Sequence, residues 1–269
     1  MGTMSLPSVP ARKQQLLLCL AVLLLAGAAS AQAQKHNAVF NFGDSITDTG
    51  NLCTSGKPTE ITFTQPPYGE TYFGTPTCRC SDGRVIVDFL STKFGVPFLP
   101  PSKANGTDFK QGANMAITGA TAMDAPFFRG LGLSDKIWNN GPISFQIQWF
   151  QQITATVCGN DCIRYLRDSL VVFGEFGGND YNAMLFGNYN PDQASRYGFN
   201  AVFEACCGSG GGKYNYANSA RCGMQGAAAC ANPADHLSWD GIHLTEAAYK
   251  QITDGWLNGP YCSPPILHS

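Results

Sequence analysis

Phe40-Asn41-Phe42-Gly43-Asp44-Ser45-Ile46-Thr47-Asp48-Thr49-Gly50-Asn51 decides the reading of this chain. Ala38, Val39 and Phe40 form a short apolar run that predicts a strand. Gly43-Asp44 predicts a turn directly after it. Such a turn exposes the Ser45 hydroxyl just past the strand's carboxyl end, where sites gather in α/β sheets. Toward the other terminus, Trp239-Asp240-Gly241-Ile242-His243 sets an acid and a histidine three residues apart. Serine, histidine and aspartate are the parts of a hydrolytic triad, recognised by role and not by chain order. Ser45 is the candidate nucleophile, which needs a base to take its proton. His243 is the candidate base, and Asp240 would fix the imidazole tautomer. Of the four histidines, His36, His236 and His268 sit in no motif.

Working outward, Val85–Phe94 predicts a helix with Ile86, Phe89, Leu90 and Phe94 on one face. Asn114–Thr118 predicts a short strand ending in a turn at Gly119. Ile143–Thr156 predicts a helix with Ile143, Ile147, Phe150 and Ile153 inward. Leu170–Phe173 predicts a buried strand. Thr245–Leu257 predicts a closing helix, capped by Thr245, with Ala248, Ile252 and Trp256 inward. Strands alternating with helices predict an α/β fold with a mostly parallel sheet. Ser45, Gly119 and Asn179 each follow a predicted strand, so all three can converge at one edge of it.

The 269 residues carry a net charge of -2, with 44% hydrophobic and 13% charged residues. That balance argues against nucleic-acid binding and against disorder. Arg12-Lys13, the apolar run Leu16–Ala26 and the Ala-x-Ala patterns ending at Ala31 and Ala33 read as a secretory signal peptide, residues 1–31. The run is shorter than the ~20 residues of a spanning helix, so no stable membrane insertion is expected. Residues 32–269 are then one domain of a secreted protein. Eleven cysteines include Cys19 in the signal segment, which leaves ten for the mature chain. An even number fits disulfides in an oxidising compartment, and Cys158 and Cys162 are close enough to pair. Asn105-Gly106-Thr107 is an N-glycosylation sequon in a polar loop.

Together these segments resemble the plant GDSL esterase/lipase family, within the SGNH hydrolases. The resemblance rests on the Ser45 and His243 segments, on Gly112–Ala120 and on Gly177-Gly178-Asn179-Asp180. Further matches are Pro67–Phe73, Asp82–Phe89 and Cys206-Cys207-Gly208. It implies a three-layer α/β/α fold and hydrolysis of carboxylic esters through an acyl-enzyme. It also implies an oxyanion hole made by the amides of Ser45 and Gly119 and the side chain of Asn179. No metal or cofactor is implied, and the partner is a small-molecule acyl, acetyl or phenolic ester. Substrate identity is not legible.

The resemblance is incomplete between Asn179 and Asp240. The family fold places two further strand–helix units there, each of roughly 30 residues. Tyr181–Trp239 contains no isoleucine, no threonine and a single valine, Val202, a composition unsuited to strands. The chain therefore reads as truncated between about 187 and 205, with about three strands left and Leu170–Phe173 at an edge. That pattern supports a second reading, a secreted, catalytically impaired relative that keeps the motifs. A third, metallophosphoesterase reading would use Asp44, Asp48, Asn179 and His243, but such sites need more histidines.

Overall fold

The computed structural model describes residues 36–56, 62–138, 140–174, 176–186, 205–210 and 214–268. The expected signal segment 1–31 and residues 187–204 of the expected joint lie outside these. Strand β1 (Val39–Phe42) is central. Strands β2 (Gly112–Asn114) and β3 (Leu170–Phe173) pair with it in parallel, giving the order β2-β1-β3. The chain leaves β1 to one side for β2 and then crosses to the other side for β3. A crevice therefore opens at the carboxyl end of β1, where the winding reverses.

Side-chain alternation sorts the two faces of the sheet. Val39, Leu170 and Val172 point to a layer made by helices α1 (Ile86–Phe94) and α4 (Glu246–Asn258). Phe40, Phe42 and Ala113 point the other way, onto Phe150 and Ile153 of helix α2 (Ile143–Val157). The α/β/α layering follows. Gly112 is required by this packing, because a Cβ there would overlap the Val39 backbone. Helix α1 begins where the Asp88 carboxylate accepts the Val85 N–H at 3.0 Å, and it ends at left-handed Gly95. Thr245 caps α4, accepting the Ala248 N–H at 3.2 Å as its sequence predicts.

Three expectations shift, the last of them at β3. The second strand ends at Asn114, four residues before Thr118. Beyond it the chain stays extended, and Met115 and Ile117 donate to the carbonyls of Asn41 and Gly43 at 2.8 and 3.3 Å. The inward face of α2 also differs. Gln146 is 0% exposed, whereas Ile147 is 39% exposed. Gln146 is buried because its amide is satisfied: it accepts from the Gly43 N–H at 3.0 Å and donates to the carbonyls of Gly43 and Gly141 at 2.8 and 3.0 Å.

Among the described residues, β3 pairs with β1 alone, so its other side is a free edge. The strand is not buried as its apolar run suggests: on the α2 face Val171 and Phe173 are 46% and 55% exposed, because no described element covers them. No helix among the described residues is long and apolar enough to cross a membrane. Disulfides join Cys53 to Cys78, Cys158 to Cys162, Cys206 to Cys230 and Cys207 to Cys222, while Cys80 and Cys262 remain thiols.

Candidate active site

Past β1 the chain turns through Asp44–Thr47. Asp44 accepts the Ile46 N–H at 3.0 Å, an Asx turn that sets Ser45 at the apex. Behind the serine lies a buried polar network built from the rest of the opening motif. Asp48 accepts the N–H groups of Gly50 and Asn51, both at 2.7 Å, and those of Leu52 and Thr118 at 3.3 and 2.8 Å. Asn51 donates to the carbonyls of Asn114 and Ala116 at 2.7 and 2.8 Å. Asn114 donates to the Thr47 carbonyl at 2.6 Å, and Asn41 donates to Asn114 at 2.8 Å. Each buried group has a partner, so the turn is tied to both β1 and β2.

The other half of the site precedes α4. Asp240 Oδ1 accepts the N–H groups of Ile242 and His243 at 3.0 and 2.8 Å, folding this loop back on itself. Asp240 Oδ2 accepts His243 Nδ1–H at 2.6 Å, and His243 Nε2 accepts the Ser45 hydroxyl at 2.8 Å. All three side chains are buried. The fold thus brings together residues 198 positions apart. The candidate nucleophile, base and orienting acid form one hydrogen-bonded line.

Electrostatics match that line. Burial disfavours the Asp240 carboxylate, but the adjacent His243 imidazolium and three hydrogen bonds prevail and hold it down to about 2. Burial likewise opposes the imidazolium, yet Asp240, with Cys80 adding to it, lifts His243 well above its usual 6.5. Cys80 lies against Thr118 Oγ1 at 3.6 Å, and burial, the largest effect on it, raises this thiol above its usual 9.0. It is therefore neutral near pH 7, and Asp240 carries the effect on His243.

Ser45, Gly119 and Asn179 line one cavity of about 340 Å³, together with Asp240 and His243. Gly119 has φ +83°, and a Cβ there would press on the Trp138 ring. Asn179 opens helix α3 (Gly178–Phe186), and its amide donates to the carbonyl of Ala120 at 2.8 Å and to Asp44 at 3.3 Å. The next residue, Asp180, accepts the N–H groups of Ala122 and Met123 at 2.8 and 2.9 Å and so pins the loop after Gly119 to α3. Asn105 is not among the residues lining this cavity and is exposed.

Three contributors escape sequence reasoning. Tyr68 donates from its buried hydroxyl to Asp240 Oδ2 at 2.7 Å. Its signal was present in Pro67–Phe73, a matched segment without an assigned role. Gln146 carries no such signal. The disulfide-bonded segment is the third: the N–H groups of Cys206 and Cys207 donate to the carbonyls of Ser238 and Trp239 at 3.0 and 2.6 Å, bracing the Asp240 loop. Among the described residues, Cys206, Cys230 and His236 are the one group spaced for a metal, and their two sulfurs are already bonded to each other. Asp48 is committed to backbone N–H groups and Thr118, which removes it from a phosphoesterase-type metal set.

The family profile described as GDSL-like Lipase/Acylhydrolase matches residues 39–196 of this chain, more than half of it. The chain belongs to the GDSL lipase/acylhydrolase family. It is 30% identical to the GDSL esterase/lipase At5g45910 of Arabidopsis thaliana, over 86% of this chain and 92% of that protein. It is 29% identical to the sinapine esterase of Brassica napus, over 90% of each. The GDSL relatives account for the α/β fold with its parallel sheet and for carboxylic ester hydrolysis as the chemistry. The first of these alignments runs over 343 positions, more than the 269 residues present. These GDSL relatives therefore carry internal residues without a counterpart here.

Proposed function

We propose that the chain is a secreted serine esterase in which Ser45 attacks a small-molecule ester with His243 as general base and Asp240 as orienting acid. The observation that carries this reading is the unbroken line from Ser45 Oγ to His243 Nε2 to Asp240, at 2.8 and 2.6 Å, in the wall of the cavity. Attack transfers the serine proton to His243 and pushes charge onto the carbonyl oxygen. The amides of Ser45 and Gly119 and the Asn179 side chain are the proposed donors to that oxyanion. Asn179 would keep its shorter bond to Ala120 and exchange the longer one, to Asp44, for the substrate. His243 then protonates the departing alcohol, and water, deprotonated by the same imidazole, releases the acid. No step requires a metal or cofactor.

A cavity of about 340 Å³ suits a small ester more than a long acyl chain. Secretion is supported by the N-terminal Arg12–Ala33 pattern and by four disulfides. The exposed Asn105 is the proposed glycan acceptor. The composition break supports a joint between about 187 and 205 for the positions lacking against the relatives. The second reading, an impaired relative, draws on the exposed face of β3, and the assembled triad weighs against it. Hydrolysis of p-nitrophenyl acetate by the secreted mature chain beside Ser45→Ala tests the choice. Turnover that falls by about 10³-fold or more in the variant is expected. Equal rates in the two proteins, or none in a monomeric, cooperatively unfolding wild type, would reject the serine mechanism.

A further inference from the structure

One wall of the cavity comes from the disulfide-bonded segment, which contributes Tyr216, Asn218 and Arg221. Its backbone is held firmly. Cys207 and Cys222 are bonded to each other, Arg221 bridges Gly208, and the Arg221 carbonyl accepts the Met224 N–H at 2.9 Å. Tyr216 closes over Gly241, where a Cβ would lie 2.7 Å from its ring. This arm therefore sits against the loop that carries Asp240 and His243.

The charges lining the cavity are mostly spoken for. Lys136 Nζ meets Asp135 at 2.8 Å, and Asp240 meets His243 at 2.6 Å. Arg221 also lines the cavity and forms no ion pair among the described residues. A cavity-lining guanidinium that no carboxylate among the described residues neutralises is available to a carboxylate bound there. Arginine's planar fork matches a carboxylate in two parallel bonds. The position also selects a side of the substrate. His243 must protonate the leaving alcohol, so the alcohol portion of an ester lies beside the imidazole, next to Tyr216 and Arg221.

We propose that Arg221 is a specificity-determining residue that receives a carboxylate on the alcohol portion of the ester. This inference rests on the serine-esterase reading for its orientation. The Tyr216 ring would flank that portion, and the disulfide between Cys207 and Cys222 would hold the arm at its working distance.

The test is a set of three aryl acetates that differ at the para position: 4-acetoxybenzoate, 4-acetoxybenzamide and the 4-acetoxyphenyl trimethylammonium ion. Each kcat/KM is divided by that ester's own hydroxide-catalysed rate, which removes leaving-group differences. The wild type is expected to favour the carboxylate over the amide by about tenfold to a hundredfold, chiefly through KM. Arg221→Gln should abolish that preference, and Arg221→Lys should restore part of it, because charge returns without the fork. A wild type indifferent to the para charge overturns the proposal, as does an Arg221→Gln loss that is equal across all three esters. If no ester is turned over, the serine mechanism is what fails. Calorimetric binding of 4-hydroxybenzoate against 4-hydroxybenzamide by the same proteins then decides the arginine's role. Binding that prefers the carboxylate and weakens about tenfold in Arg221→Gln upholds it, and binding without that dependence overturns it.

Discussion

At the scale of single residues, the site is governed by how burial and charge divide a proton between His243 and Asp240. The imidazole can act as base only when neutral, and Asp240 lifts it well above 6.5. The rate therefore grows as pH rises through that elevated value and is lost below it. A profile of kcat/KM against pH should show its acid limb centred above 6.5, with Asp240 staying ionised throughout because it lies near 2. Asp240→Asn should lower kcat by about 10³–10⁴-fold, since the amide no longer fixes the tautomer. It should also move the residual acid limb downward. A limb centred at or below 6.5 in the wild type would show that Asp240 does not raise the base. Tyr68 belongs to the same scale: its hydroxyl holds the Asp240 oxygen that also receives His243. The matched segment Pro67–Phe73 marked the tyrosine, but nothing local in it points to an aspartate 172 residues away.

Between residue and fold, the unit that matters is the loop Gly43–Asn51. Its length is set by the network behind the serine and not by the serine itself. Asp48 alone gathers four backbone N–H groups and the Thr118 hydroxyl. Burial, the largest effect on its carboxyl, raises it above the usual 3.8, while the N–H groups of Gly50, Thr118 and Asn51 work in the opposite direction. Asp48→Ala would leave those donors buried without acceptors. Each such donor costs about 1–3 kcal/mol, so a total loss above about 3 kcal/mol is expected in urea unfolding. A loss under about 1 kcal/mol would mean that water enters and replaces the carboxylate. Helix α2 contributes through Gln146, which clasps both backbone groups of Gly43. A 3.6-residue hydrophobic period ranks glutamine as outward, so the rule that places Ile153 correctly misplaces Gln146 and Ile147.

Across the whole molecule, β3 is an edge of the sheet among the described residues, while the elements that carry the candidate triad are in place. The topological crevice at β1 needs only its two neighbours, and both are present. The brace on the Asp240 loop comes from the disulfide-bonded segment, which follows the expected joint. The cost falls on β3, whose Val171 and Phe173 are exposed beside a ladder that no other described strand pairs. Exposed apolar edges template association. Val171→Lys should reduce self-association seen by sedimentation velocity at micromolar concentrations, without changing esterase kinetics. Sedimentation unchanged by the charge would mean that this edge is not the contact. The sequence by itself determined the α/β character with its mostly parallel sheet, the strand positions of β1 and β3 and the Thr245 cap, and it singled out Ser45, Asp240 and His243 as the candidate triad. These rest on local patterns, namely periodicity, turn chemistry and short motifs, which act within a few residues. Only the tertiary structure decided the pairing of Cys53 with Cys78, the burial of Gln146, the Tyr68 bond to Asp240 and the placing of Arg221 in the cavity. Each of those joins side chains from distant segments, and such meetings are set by how the layers close and not by any local pattern.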